Sequence, residues 1–231
     1  MTTGAQLTTF ITGLNGGASI DTTLLDVLVS TGKAILEAER PWMPLRKMNT
    51  ALTLATSNTW QTAKALSSIT DFSRFYGDGF ITLYDGSNAR HYYRQVPADR
   101  QLEYKDDNTA FWYDVNGASI YFGGTPPYAG TLYLPYIANS TEIDLASEIA
   151  VWSIFPSRFL PILGFYAVGM HKGAVDYDDI NARMLPENRA VLSALKDAME
   201  TWDNELQLSS LAFNDPSELY SYPRNGAIDR S

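Results

Sequence analysis

Side chains able to do acid–base, nucleophilic or metal chemistry are few and scattered in this chain. It has two histidines, His91 and His171, and no cysteine, which excludes thiolate metal sites, cysteine nucleophiles and a disulfide framework together. His91 sits amid Tyr92 and Tyr93 and reads as a strand residue. His171 falls near a helix C-terminus, where a cation is mildly favoured, and no serine stands where a relay would need it. Asp176, Asp178 and Asp179 form a tight carboxylate cluster. A hard cation takes such oxygens, but the turn glycine and closing glutamate of a calcium loop are missing, so the cluster reads as a solvated turn and the acidic start of a helix. Nucleophile elbows, phosphate loops and dinucleotide fingerprints are absent; Gly77-Asp78-Gly79 continues as Phe-Ile-Thr without a third glycine. Asn139-Ser140-Thr141 matches a glycosylation sequon but reads better as a helix cap. The residues therefore predict no enzyme, no metal and no cofactor.

The elements that would carry any other function follow from periodicity. Residues 1–19 are rich in Thr, Gly and Asn and read as a flexible N-terminal arm without the basic start of a secretory signal. From Ile20 to Arg40 apolar residues recur at helical spacing, with Ser19 or Asp21 as cap, Gly32 as a weak point and Pro41 as the stop. Between residues 49 and 137 the period changes and five or six short strands are predicted, among them Phe80–Tyr84 and Gly130–Ile137. Asn116-Gly117 reads as the two-residue turn of a hairpin. That register sets Tyr113 opposite Ile120 on an apolar face and Trp112 opposite Tyr121 on the other, an aromatic pair to be covered by a neighbouring strand or a neighbouring subunit.

Helix returns after residue 137. A segment from Ser140 or Thr141 through Phe155, a second from Pro156 to about Lys172 and a third from Pro186 are predicted. Gly164 and Gly169 permit close packing in the second, and Pro161 is a candidate kink. In the third, Leu192, Leu195, Met199, Trp202 and Leu206 recur at spacings of 3 and 4, an amphipathic seam. Asp197, Glu200, Asp203 and Glu205 fall on its polar flank. Beyond it, residues 211–231 read as a C-terminal arm that retains Phe213, Leu219, Tyr220 and Tyr222. The expected fold is α+β: a helical bundle from residues 20–48 and 138–210, a β-rich insert at 49–137, and an extended C-terminal arm.

The 231 residues carry a formal net charge of −9 with 45% hydrophobic residues, a globular composition and a poor clamp for nucleic acid, whose binding is dominated by Lys and Arg. From Thr141 onward there are 14 acidic and 7 basic residues. The most apolar run, Phe155–Met170, contains Arg158 and falls short of the roughly 20 residues a membrane span needs.

The order of these pieces resembles the head–tail adaptor (head-completion, connector) proteins of tailed bacteriophages. Four stretches carry the resemblance: Ile69-Thr70-Asp71-Phe72, like that family's P-x-D-F turn; Ile120-Tyr121-Phe122 through Pro126-Pro127 to Leu132-Tyr133-Leu134-Pro135-Tyr136; Phe155–Leu160 through Asp178-Asp179; and the helix from Pro186 to Leu208. Thr70 stands where the family often has Pro, and Leu134-Pro135 interrupts its tyrosine pair. The resemblance implies a non-enzymatic virion protein at the head–tail junction, made in the host cytoplasm. It implies a homo-oligomeric ring of about twelve copies below the portal, through which DNA passes without sequence-specific binding and without membrane contact. Portal protein and tail or nozzle proteins are its implied partners. On that reading Phe213, Leu219, Tyr220, Tyr222, Trp112 and Tyr121 are candidates for portal or subunit contact, and Asp197, Glu200, Asp203 and Glu205 for lining the channel, where carboxylates would repel phosphate. The competing expectation is a tail-side recognition module that binds glycan or peptide through its aromatic β region.

Overall fold

The computed structural model describes residues 3–57, 62–76, 80–87, 89–96, 111–140, 143, 145–146, 152, 154–174 and 177–213. They fall into two compact units, one drawn from Met1–Leu36 and Ile143–Ser231, the other from Glu37–Glu142.

The first unit is helical, with α1 (Gly4–Leu14), α2 (Thr22–Glu39), α3 (Leu160–His171), α4 (Tyr177–Arg183) and α5 (Pro186–Phe213). Helix α1 replaces most of the expected flexible arm. Thr3 and Gln6 form a reciprocal capping box, which satisfies two N–H groups that have no partner within the helix. Leu7 and Ile11, one turn apart, are buried, and the Phe10 ring meets Phe165 edge-on at 5.5 Å. The threonines that suggested an arm bond back to the preceding turn, Thr9 to the Ala5 carbonyl and Thr12 to that of Thr8. Asp21 caps α2 by accepting from the backbone N–H groups of Thr23 and Leu24.

Helix α3 is the centre of this unit. It is apolar on every side and buried from Ile162 to Gly169, as a helix packed all round must be. Its glycines are contact points. A Cβ on Gly164 would sit 2.7 Å from the Phe10 ring, and one on Gly169 2.8 Å from Ile180. Gly32 of α2 has the same role, since its Cβ would lie 2.7 Å from that of Tyr166. Pro161 does not kink α3; it stands in the first turn, where the missing N–H costs nothing. The helix expected from residue 140 or 141 to 155 lies largely outside the described residues, and Leu145, Ala146 and Trp152 within it are in turns.

The second unit is a curled mixed sheet of nine strands: β1 (Arg46–Asn49), β2 (Thr53–Leu54), β3 (Lys64–Ala65), β4 (Phe72–Phe75), β5 (Phe80–Tyr84), β6 (Arg90–Gln95), β7 (Trp112–Asn116), β8 (Ser119–Gly123) and β9 (Gly130–Ala138). The order is β1-β9-β5-β6-β7-β8-β3, antiparallel except for the β6–β7 pair. Strand β9 is its spine. Ile137 pairs with Arg46 of β1 and Arg74 of β4, and Thr131 with Thr53 of β2 and Tyr84 of β5. Hence β1 and β2 share one edge of β9, and β4 and β5 the other. Pro135 is tolerated in this central strand because its missing N–H faces the junction between β4 and β5, where its carbonyl accepts from Tyr76.

One face of the sheet encloses a core of Leu54, Ile81, Leu83, Tyr93, Tyr113, Ile120, Phe122, Leu132 and Leu134, among others. The expectation of a helical bundle with a β-rich insert is thereby corrected. The sheet is a nine-stranded body with its own core, and the protein is a sheet-rich α+β structure. Strands of two to four residues, such as β2, β3 and β4, are too short to show alternation in sequence and exist because a neighbour supplies their hydrogen bonds. Among the described residues no helix is long and apolar enough to cross a membrane.

Candidate interaction surfaces

The hairpin of β7 and β8 decides the fate of the predicted aromatic pair. Its turn is Gly117-Ala118, not Asn116-Gly117: Asn116 pairs with Ser119, Val115 with Ile120 and Tyr113 with Phe122. Gly117 has φ +59°, and among the described residues no non-glycine residue, Ala118 included, has a positive φ, as in a type II′ turn with glycine first. The slip is two residues, so each side chain keeps its face but changes partner. Tyr121 lies opposite Asp114, and Trp112 opposite Gly123. A Cβ on Gly123 would fall 1.9 Å from the Trp112 indole; the ring occupies the space a side chain would take. Trp112 is 2% exposed and Tyr121 half-buried, so the pair offered for glycan, peptide or subunit contact is not an exposed pair.

The four carboxylates assigned to one flank of α5 also separate. Asp197, Glu200 and Glu205 are exposed, whereas Asp203 is 0% exposed and accepts a hydrogen bond from the Gln207 amide at 3.1 Å. Asp203 stands four residues beyond the fully buried Met199, one turn along the same stripe. That spacing was readable in the sequence. Leu192 and Met199 of the seam are fully buried, and half-buried Trp202 lies against the Phe155 and Phe159 rings at 6.0 and 5.7 Å. Phe213 is the last residue of α5; Leu219, Tyr220 and Tyr222 lie outside the described residues.

His91 rings with Phe111 and Tyr128 at 4.5 and 5.7 Å in the sheet unit, and His171 is an exposed residue ending α3. Asp178 and Asp179 open α4, and Asp176 lies outside the described residues. Among the described residues no three His, Asp or Glu side chains group to hold a metal ion.

The Asp71 of the Ile69–Phe72 turn is a structural tie. It takes the Lys47 ammonium of β1 in an ion pair and the Tyr136 hydroxyl of β9 at 2.8 Å, while its carbonyl accepts from the Asn139 N–H at 2.7 Å. Burial alone would raise its pKa, but the hydrogen bonds from Lys47 and Tyr136 and the Lys47 charge outweigh it and hold the carboxyl below its ordinary value. Burial and the same carboxylate push Tyr136 up to about 12. Tyr93 and Tyr113 are buried with hydroxyls that lack a hydrogen-bond partner, and burial raises both, Tyr113 to about 12.

The surface that sequence reasoning missed is the outer face of the sheet. Opposite Ile81, Leu83 and Tyr93, the strands present Phe80, Thr82 and Tyr84 on β5, Arg90, Tyr92 and Arg94 on β6, and Tyr133 on β9, in rows Phe80–Arg94, Tyr133–Thr82–Tyr92 and Tyr84–Arg90. Arg74 and Arg46 extend it beside Ile137. Arg74, Arg90, Tyr92, Arg94 and Phe80 are exposed. Tyr84 and Tyr133 meet edge-on at 5.8 Å, with Arg90 5.9 Å from the Tyr84 ring. No carboxylate stands on this face of β1, β4, β5, β6 or β9. The Arg-His-Tyr-Tyr-Arg alternation of residues 90–94 was the signal.

No protein-family model matches this chain, and no curated protein matches it.

Proposed function

We propose that this chain is a structural virion protein, a head–tail adaptor that assembles into a ring below the portal, extends the DNA channel and gives the tail its docking surface. The observation that supports this most is the path of the chain. Helices from before and after the sheet belong to one unit, and the sheet forms a second unit between them in sequence, as the resemblance to the adaptor family implies. A helical unit of this kind suits a ring wall, and a sheet unit with its own core suits a body presented to partners. The net charge of −9 keeps phosphate from sticking as DNA passes.

The test is reconstitution of the full chain with portal protein, followed by electron microscopy. The expected result is a closed ring of copies coaxial with the portal. A chain that stays monomeric with and without portal at tens of micromolar overturns the reading. A chain ending at Phe213 is expected to melt at the same temperature as the full chain and to lose portal binding, because the removed residues include Leu219, Tyr220 and Tyr222.

A further inference from the structure

Two exposed surfaces of this chain match in spacing, charge and size. On the outer face of the sheet, Arg90, Tyr92 and Arg94 alternate along β6. Residues four apart on a strand are about 13 Å apart, so two guanidinium groups stand at that interval with a tyrosine midway. On α5, Asp197, Thr201 and Glu205 are exposed at successive turns. Residues eight apart on a helix are about 12 Å apart, so two carboxylates stand at nearly the same interval with a small residue midway. The helix carries no Lys or Arg from Asp197 to its end at Phe213, and the matching strands carry no carboxylate on that face.

We propose that α5 of one copy lies on the outer face of the sheet of the next, with Asp197 and Glu205 on Arg90 and Arg94 and Thr201 over Tyr92. This rests on the ring reading and names its contact between copies. The charge pairs set register and suppress wrong partners, because exposed ion pairs add little net affinity. Adhesion comes from the apolar groups beside and between them. Phe80 and Tyr92 are 39% and 37% exposed on the sheet, and Leu208 is 67% exposed on the helix. Between its acids the exposed face of α5 carries the small residues Ala198 and Thr201, so the aromatic ridge of β5 and β6 has room to seat. The contact joins two different patches of the same chain, which is the geometry that propagates around a ring instead of closing as a dimer. Asp197 and Glu205 then face a neighbouring copy, not a channel.

The experiment is charge reversal in the full chain, read by sedimentation velocity across a concentration series, with circular dichroism melts to verify folding. R90E/R94E and D197R/E205R are each expected to weaken self-association at least tenfold with unchanged melts, all four substituted positions being exposed. The quadruple variant, with both charges swapped, is expected to recover most of the loss. The wild type is expected to dissociate as salt rises from 50 to 500 mM. Wild-type assembly that ignores both double variants, or a quadruple variant no better than the doubles, overturns this contact and leaves the ring reading standing. A wild type that stays monomeric both alone and with portal protein overturns both.

Discussion

At the scale of single residues, the Asp71 tie and the Trp112–Gly123 pair make the sharpest predictions. Asp71 has a lowered pKa in the folded chain, so its contribution to stability is present above its unfolded value of about 3.8 and is lost as pH falls through the lower folded value. Tyr136 has the opposite limb: with its folded pKa near 12, the folded chain holds the proton longer, and stability falls as pH rises from about 10 to 12. Asp71→Asn is expected to flatten the acid limb, and urea titrations of both chains at pH 6 and pH 3 check it. Equal losses in both chains would show that Asp71 is not the group responsible. Gly123 is needed for space, since its φ is not positive. Gly123→Ala is expected to cost about 1–3 kcal/mol by overpacking, and much less in a Trp112→Ala background, a non-additivity that denaturant melts of the double-mutant cycle measure.

At the scale of elements, α1 is a packed helix and not an arm. Deleting residues 1–14 removes the buried Leu7 and Ile11 and exposes Phe165 and Gly164. The truncated chain is expected to lose about 3–5 kcal/mol of stability, the size of a few large core truncations discounted for repacking; an unchanged thermal midpoint would return this segment to the status of an arm. Gly164→Ala tests the same contact from the other side, with an expected cost of about 1–3 kcal/mol. The helices were read well where burial is one-sided. The α5 seam and the capped α2 show their period because water faces the other side. Helix α1 was obscured by threonines that satisfy their hydroxyls locally, and the hairpin turn was misplaced because Asn116-Gly117 and Gly117-Ala118 both offer glycine a left-handed position. Only the pairing of Trp112 with Gly123 selects the second, and that choice lies across the strands, out of reach of the local sequence.

At the scale of the whole molecule, the sheet is the element most underestimated from the sequence and the one on which assembly is proposed to turn. If the contact between copies is right, a sheet unit carrying Arg90→Glu and Arg94→Glu stays folded, since Tyr93, between them, and its neighbours form the core on the opposite face. The amino-acid sequence by itself determined the helix–sheet–helix order, the seam of α5, the glycine positions of close helix packing and the lack of cysteine chemistry. These are set by local period and by residue type, and period survives wherever one side of an element meets water. Tertiary structure alone decided that nine strands form one sheet around β9, that Trp112 is buried, and that arginines and tyrosines of separate strands share a face. Each of these depends on which segments pair across tens of residues, and the free energy of that pairing resides in cross-strand hydrogen bonds and burial that no single segment contains.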